Sequence, residues 1–215
     1  GFFDDLVIEF AGKKKDGILR ADTSLEKMAK LKPAFDKTSG QGTITAANAT
    51  ALTDGAAAVF LCSEEYAKEN NLKPLAYLTY AQSAAVDYVN EEGLLMAPAY
   101  AVPKMLKKAN LKLQDFDYYE IHEAFAAQVL CTLKAWNDED FCKNKLGLDN
   151  VLGEIDHSKL NINGGSLATG HPFAATGARI LGSLAKMLDQ KGSGKGLISI
   201  CTAGGMGVTA IVEKA

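Results

Sequence analysis

Three side chains in this sequence have types and surroundings suited to acid/base chemistry: His122, His171 and Cys201. His122 opens the run His122-Glu123-Ala124-Phe125-Ala126, where the strand-like stretch Tyr118-Tyr119-Glu120-Ile121 meets good helix formers running to Leu130. A histidine at such a junction can donate a hydrogen bond toward an oxygen on which charge develops. It can equally do no more than satisfy backbone groups at a helix start. Glu123, expected in the first helical turn, is explained by the helix dipole and needs no chemistry.

His171 stands in Gly170-His171-Pro172-Phe173, between Asn161-Ile162-Asn163-Gly164-Gly165-Ser166 and Ala174-Ala175-Thr176-Gly177-Ala178-Arg179. Pro172 reads as the first residue of a helix to Leu188. That places His171 at the positive helix end, where the imidazolium is disfavoured by ~0.3 to 1 kcal/mol. A neutral His171 could act as a base near neutral pH; the alternative is a histidine in a tight glycine-flanked turn. The glycine density points to backbone fitted closely around something, but the pattern is not the GxGxxG of a dinucleotide site. Cys201 precedes Ala203-Gly204-Gly205-Met206-Gly207. A thiol at a strand end, before backbone able to turn its N–H groups inward, suits proton transfer beside an oxyanion site. It is equally what a small buried hydrophobe looks like. As a base it would need a nearby histidine, because a free thiol is only a few per cent ionised at neutral pH. A fourth segment, Gly42-Thr43-Ile44-Thr45-Ala46-Ala47-Asn48-Ala49-Thr50, could line a narrow channel for an extended ligand or form a tightly packed turn.

The elements that must position these groups alternate between strand and helix. Strands are expected near 5–10, over Ala56–Cys62, from Pro74 to about Ser83, over Tyr118–Ile121, over Leu160–Asn163, and over Gly196–Ile200 and Val208–Val212. Helices are expected around Ser24–Leu31, from Ser63 to about Asn70, near 99–110 and after His122. The stretch 137–158 reads as a charged surface helix and loop. Alternation of this kind implies an α/β sheet covered on both sides, with ligands where strands end and helices begin.

Composition narrows the function further. The 215 residues are 47% hydrophobic with a formal net charge of −3. No basic face could neutralise a phosphate backbone, so nucleic acid is not an expected partner. No apolar run approaches the ~20 residues of a membrane span, and no leader-like segment is seen. Cys62, Cys131, Cys142 and Cys201 form no CxxC pair and no short-spaced ligand set with the histidines, so neither a disulfide scaffold nor a metal site is expected. The chain opens on Gly1 directly before an apolar stretch, which reads as truncation of a longer chain.

Taken together, Thr43-Ile44-Thr45-Ala46-Ala47-Asn48-Ala49-Thr50, His122-Glu123-Ala124-Phe125-Ala126, Asn161 through Arg179, and Cys201 through Gly207 resemble the thiolase family, in order and approximate spacing along essentially the whole chain. The resemblance implies the thiolase fold, a layered αβαβα arrangement with mixed sheets, of which this chain carries mainly the C-terminal half. Residues 1–50 would close the loop domain, 51–72 the N-terminal half-domain, and 73–215 would be the C-terminal half-domain. The implied activity is acyl-CoA:acetyl-CoA C-acyltransfer, the thiolytic cleavage of a 3-ketoacyl-CoA or the reverse Claisen condensation. His171 would take the proton of the nucleophilic cysteine, and Cys201 would move a proton at the α-carbon. His122, with His171, would stabilise the enolate oxygen, and the N–H of Ala203 would donate in a second oxyanion hole. Ala46, Ala47 and Thr50 would contact the pantetheine arm of coenzyme A.

The resemblance implies no cofactor beyond coenzyme A and acyl-CoA as substrates. It implies a homodimer or homotetramer, and a cytoplasmic location, mitochondrial or peroxisomal in a eukaryote. The nucleophilic cysteine would lie in an N-terminal half outside these residues, leaving the chain inactive alone. Its neighbours in function are a subunit of a split thiolase and a non-catalytic thiolase-like protein that binds acyl-CoA or lipid. Retention of His122, His171 and Cys201 speaks against the last. Ala174 in place of a glycine, the long segment before Asn161, and His122 in place of an asparagine resemble the trifunctional-enzyme β-subunit branch.

Overall fold

A computed structural model describes all 215 residues. Four strands make one mixed sheet in the order β1-β4-β3-β2, with β1 at Ala76–Ala85, β2 at Tyr118–Ile121, β3 at Lys195–Thr202 and β4 at Met206–Lys214. β3 and β4 are an antiparallel hairpin closed by Ala203-Gly204-Gly205, with Cys201 opposite Gly207. Gly204 and Gly205 have φ of +84° and +72°. A side chain on Gly205 would start 2.6 Å from the Val86 carbonyl oxygen, so this turn needs glycine twice over. β4 also pairs antiparallel with β1, and β2 runs parallel to β3, Tyr118 opposite Gly196 and Ile121 opposite Ser199.

A parallel pair cannot be joined by a hairpin. The return from β2 to β3 is therefore long, carrying α4 (Ala126–Trp136), α5 (Ser166–Thr169) and α6 (Thr176–Lys191). α3 (Ala97–Ala109) makes the earlier crossover from β1 to β2. Strand side chains alternate between faces, and this divides the core in two. Leu197 and Ile211 join Val102, Met105 and Leu106 of α3 and Trp136 of α4 on one side. Ile198 and Val212 join Ile180, Leu184 and Leu188 of α6 on the other. The chain thus builds an α-β-α stack, the covered mixed sheet its sequence implies. No helix is long and apolar enough to cross a membrane.

Residues 1–75 add no strand to the sheet. They carry α1 (Leu25–Ala29) and α2 (Glu64–Glu69), whose first turns are capped by the Ser24 and Ser63 hydroxyls. The strands expected at 5–10 and 56–62 do not form. Around Phe10 the chain makes one bridge, to Lys13, about a turn in which Ala11 and Gly12 have positive φ. Ala56–Cys62 has no regular secondary structure and no neighbouring strand in this chain, and Phe60 remains 72% exposed. The strand expected at 160–163 is reduced to a bridge between Leu160 and Tyr119, because Asn161 turns into the left-handed region at φ +47°.

Two helices start later than the sequence implies. α4 begins at Ala126, so Glu123 lies in the loop before it and not in its first turn. α6 begins at Thr176, so Pro172 is not its first residue: Ala174 has φ +65°, a conformation that ends any helix reaching back to Pro172. The 137–158 stretch contains one π-helical turn, Phe141–Lys145, and no long helix.

Candidate active site

His122 follows β2 directly, and its backbone N–H donates to the Ser199 carbonyl of β3 at 2.8 Å, continuing the parallel ladder by one step. His171 is reached from the opposite side. Its N–H donates to the Ala51 carbonyl at 2.8 Å, and it pairs in parallel with Leu52. The two segments bring the imidazoles to 4.3 Å between centroids, inclined by 45°. Each Nδ1 is held by a hydroxyl: that of His122 lies 2.8 Å from Ser166 Oγ, and that of His171 lies 2.6 Å from Thr176 Oγ1 at the start of α6. The Nε2 edges are left for chemistry.

The loop after His122 is fixed by polar side chains. Asn161 accepts from the Ile121 N–H at 2.8 Å and donates to the Ile121 carbonyl at 2.9 Å and to Glu123 Oε1 at 2.8 Å. The other Glu123 oxygen accepts from the Leu167 N–H at 3.1 Å. Glu123 therefore serves the first turn of α5, a helix far away in sequence, in place of the dipole of α4. The Thr50 segment closes against the same loop: the Thr50 N–H donates to the Ala124 carbonyl, and the Thr50 hydroxyl donates to the Ser166 carbonyl at 2.6 Å.

Cys201 lies near the end of β3 and is buried. Burial pushes its thiol up to about 11, and backbone N–H groups of Cys201 itself and of Ala124 pull against that rise. Its link to the histidines is thus the loop two residues past His122. Ala203 is exposed in the β3–β4 turn. Ala46 and Ala47 lie in a turn held by the Thr45 N–H donating to Asn48 Oδ1 at 2.7 Å. The turn abuts the start of α4, where the Ala126 N–H donates to the Asn48 carbonyl.

The electrostatics separate the two imidazoles. His122 is 2% exposed, and burial first, then His171 and Arg179, lower it to about 3. His171 is lowered by burial and by Arg179 while remaining at the edge of an open cleft formed with Leu52, Thr53, Asp54, Gly55, Pro172 and Phe173. Neither His122 nor Cys201 is among the residues that line that cleft. Behind the histidines Glu120 is also buried, and desolvation raises its carboxyl to about 7 despite the charge of Arg179. No group of three or more His, Cys, Asp or Glu residues stands close enough to hold a metal ion. Sequence reading missed Ser166, Thr176, Arg179 and Asn161 as site residues. All four flank His171 inside the long motif, so their position was a signal although their roles were not.

A family model described as the thiolase C-terminal domain matches residues 72–214, and one for the thiolase N-terminal domain matches residues 3–65. The chain is 46% identical over 199 residues to a 3-ketoacyl-CoA thiolase of Shewanella loihica, covering 93% of this chain and 45% of that protein. It is 46% identical over 211 residues to a 3-ketoacyl-CoA thiolase of Yersinia enterocolitica, covering 98% and 46%. Among solved structures it resembles the Bacillus anthracis acetyl-CoA acetyltransferase, with TM-score 0.78 and 40% identity over 100% of this chain and 51% of that one. It resembles a human mitochondrial 3-ketoacyl-CoA thiolase in complex with CoA at TM-score 0.77 and 33% identity, covering 100% and 50%. The chain therefore spans about half the length of the curated relatives it matches.

Proposed function

Because this chain belongs to the thiolase family, we propose that it is part of an acyl-CoA:acetyl-CoA C-acyltransferase that cleaves 3-ketoacyl-CoA thiolytically or runs the reverse condensation. The observation that carries this reading is the pair of imidazoles 4.3 Å apart, each with Nδ1 tied to a hydroxyl. Forming or breaking a carbon–carbon bond beside a thioester needs an acyl carrier, a group that moves the α-proton, and donors for oxygens that become negative. His171, neutral and at the cleft edge, takes the proton of the nucleophilic thiol. His122 and His171 donate to the enolate oxygen. Cys201, whose thiol stays protonated at neutral pH, gives its proton to the α-carbon as the enolate collapses and is left as thiolate; in the reverse direction that thiolate takes the α-proton as the enolate forms. The Ala203 N–H serves the second oxyanion, and Ala46, Ala47 and Thr50 border the pantetheine arm of coenzyme A.

The nucleophilic cysteine comes from outside these 215 residues, in an N-terminal half. Cys62 and Cys131 are exposed, and the Cys142 thiol is buried against the Ala135 and Trp136 carbonyls. On this reading residues 1–50 belong to the loop domain, 51–72 to the N-terminal half-domain and 73–215 to the C-terminal half-domain. The assembly is a homodimer or homotetramer. Ala174 and His122 align the protein with the trifunctional-enzyme β-subunit branch.

The test is an assay of 3-ketoacyl-CoA thiolysis on the 215-residue chain and on a longer protein that adds the upstream half. Turnover only in the longer form is expected, and its loss in His171→Ala. Clear turnover by the 215-residue chain, or none by either, would contradict the proposal.

A further inference from the structure

The Ser166 hydroxyl carries one proton and is fully buried between two partners. Arg179 Nη2 lies 2.9 Å away on one side, and His122 Nδ1 lies 2.8 Å away on the other. A guanidinium only donates. Ser166 Oγ therefore accepts from Arg179, and of its two partners only the imidazole nitrogen can receive the Ser166 proton. If Nδ1 carried a proton, the hydroxyl would accept from both sides and keep its own proton unpaired in the interior, which buried hydroxyls avoid. His122 Nδ1 is thus a lone pair, and the ring proton is on Nε2.

We propose that Arg179, acting through Ser166, is a positioning residue that holds His122 in the neutral tautomer with its proton on Nε2. The relay is rigid along its length. Ser166 opens α5 and its carbonyl accepts from Thr50, while Arg179 projects from the first turns of α6. The carboxyls of Glu120 and Glu123 support the charge of Arg179 against its burial. Its Nε is buried with no partner of its own, so the side chain is committed to this place by Nη2 and by the neighbouring carboxyls. The cation behind Ser166 also opposes a second proton on His122. Resting on the acyltransfer reading, the relay explains how two adjacent imidazoles divide the work. His122 can only donate to the enolate oxygen, and the base is left to His171.

The test is long-range nitrogen–proton NMR on the protein labelled with 15N-histidine. The three histidines are assigned with His157→Gln and His171→Gln. The expected wild-type spectrum shows a pyridine-type Nδ1 and a pyrrole-type Nε2 for His122. Ser166→Ala should shift the Nδ1 resonance, because its hydrogen bond is lost, and let the Nδ1–H form appear. Arg179→Met should do the same, and Arg179→Lys should restore the wild-type pattern. A His122 with its proton on Nδ1, a doubly protonated His122 at neutral pH, or resonances unmoved in Ser166→Ala would overturn the inference. The wild-type spectrum decides even if a variant fails to fold. The expected spectrum together with no turnover by the longer protein that adds the upstream half would count against the acyltransfer reading alone, and turnover by that protein with the opposite tautomer against this inference alone.

Discussion

The rings of His122 and His171 lie 4.3 Å apart, and only one of them borders open space. Two imidazoles this close cannot both be charged without repulsion, and the deeper one carries the larger penalty. The arrangement therefore fixes different titration behaviour for two residues of one type, and it ties several measurements together.

Stability should depend on pH in a way that variants can separate. His122 falls from 6.5 to about 3 on folding. Between those values the unfolded chain binds a proton that the native state refuses, so His122 makes stability rise with pH across that window, by roughly 5 kcal/mol in full. His171, also lowered, acts in the same direction. Glu120 moves from 4.5 to about 7, so the native state keeps a proton that the unfolded chain releases. Its contribution, roughly 3 kcal/mol, is present below pH 4.5 and lost as pH rises through 7. The opposing slopes should flatten the wild-type profile from about pH 4.5 to 6.5. Denaturant titrations at successive pH values should show stability rising more steeply with pH in Glu120→Gln and less steeply, or falling, in His122→Gln. Identical profiles in all three proteins would contradict the assigned burial.

Alkylation should rank the cysteines. Cys62 and Cys131 are exposed, while Cys201 is buried with its thiol raised to about 11. A neutral alkylating agent under native conditions should modify Cys62 and Cys131 first, Cys201 more slowly because its mostly buried thiol stays protonated, and Cys142 only on opening of the core. Peptide mass spectrometry reads the order, and early modification of Cys201 would refute it.

Ala174→Gly should stabilise the protein. Alanine at φ +65° carries steric strain that glycine does not, partly offset by the greater freedom of glycine in the unfolded chain. A gain of about 0.5 to 1 kcal/mol in denaturant unfolding is expected. A loss would mean that the methyl group contributes packing that outweighs the strain.

Glu123→Ala should destabilise the loop that carries His122, because one carboxylate serves both Asn161 and the Leu167 N–H. The expected cost is about 1 to 3 kcal/mol. Amide exchange at Leu167 should accelerate, and unchanged protection there would show that the carboxylate is dispensable.

Local pattern carried much of the fold. β2 was legible to the residue, and the β3–β4 hairpin was legible because β-branched runs flank a glycine pair. What escaped depends on partners distant in sequence. α4 starts late because Asn161 and Leu167 claim the Glu123 carboxylate, and no propensity encodes a partner 38 or 44 residues away. α6 starts late because Ala174 adopts a glycine-like conformation. The Ala56–Cys62 run has strand composition but no strand beside it in this chain. For the site, residue type singled out His122, His171 and Cys201, whereas Ser166 and Arg179 matter only through an approach across 44 and 13 residues.

The most direct measurement is a crystal structure of the protein, upstream half included, with a non-cleavable coenzyme A thioester analogue bound. The account predicts the thioester oxygen roughly 2.7 to 3.1 Å from the Nε2 atoms of His122 and His171. The acyl α-carbon should face the Cys201 sulfur, and the pantetheine arm should pass Thr50. A thioester seated away from the two imidazoles, or a Cys201 thiol walled off from it, would contradict the account.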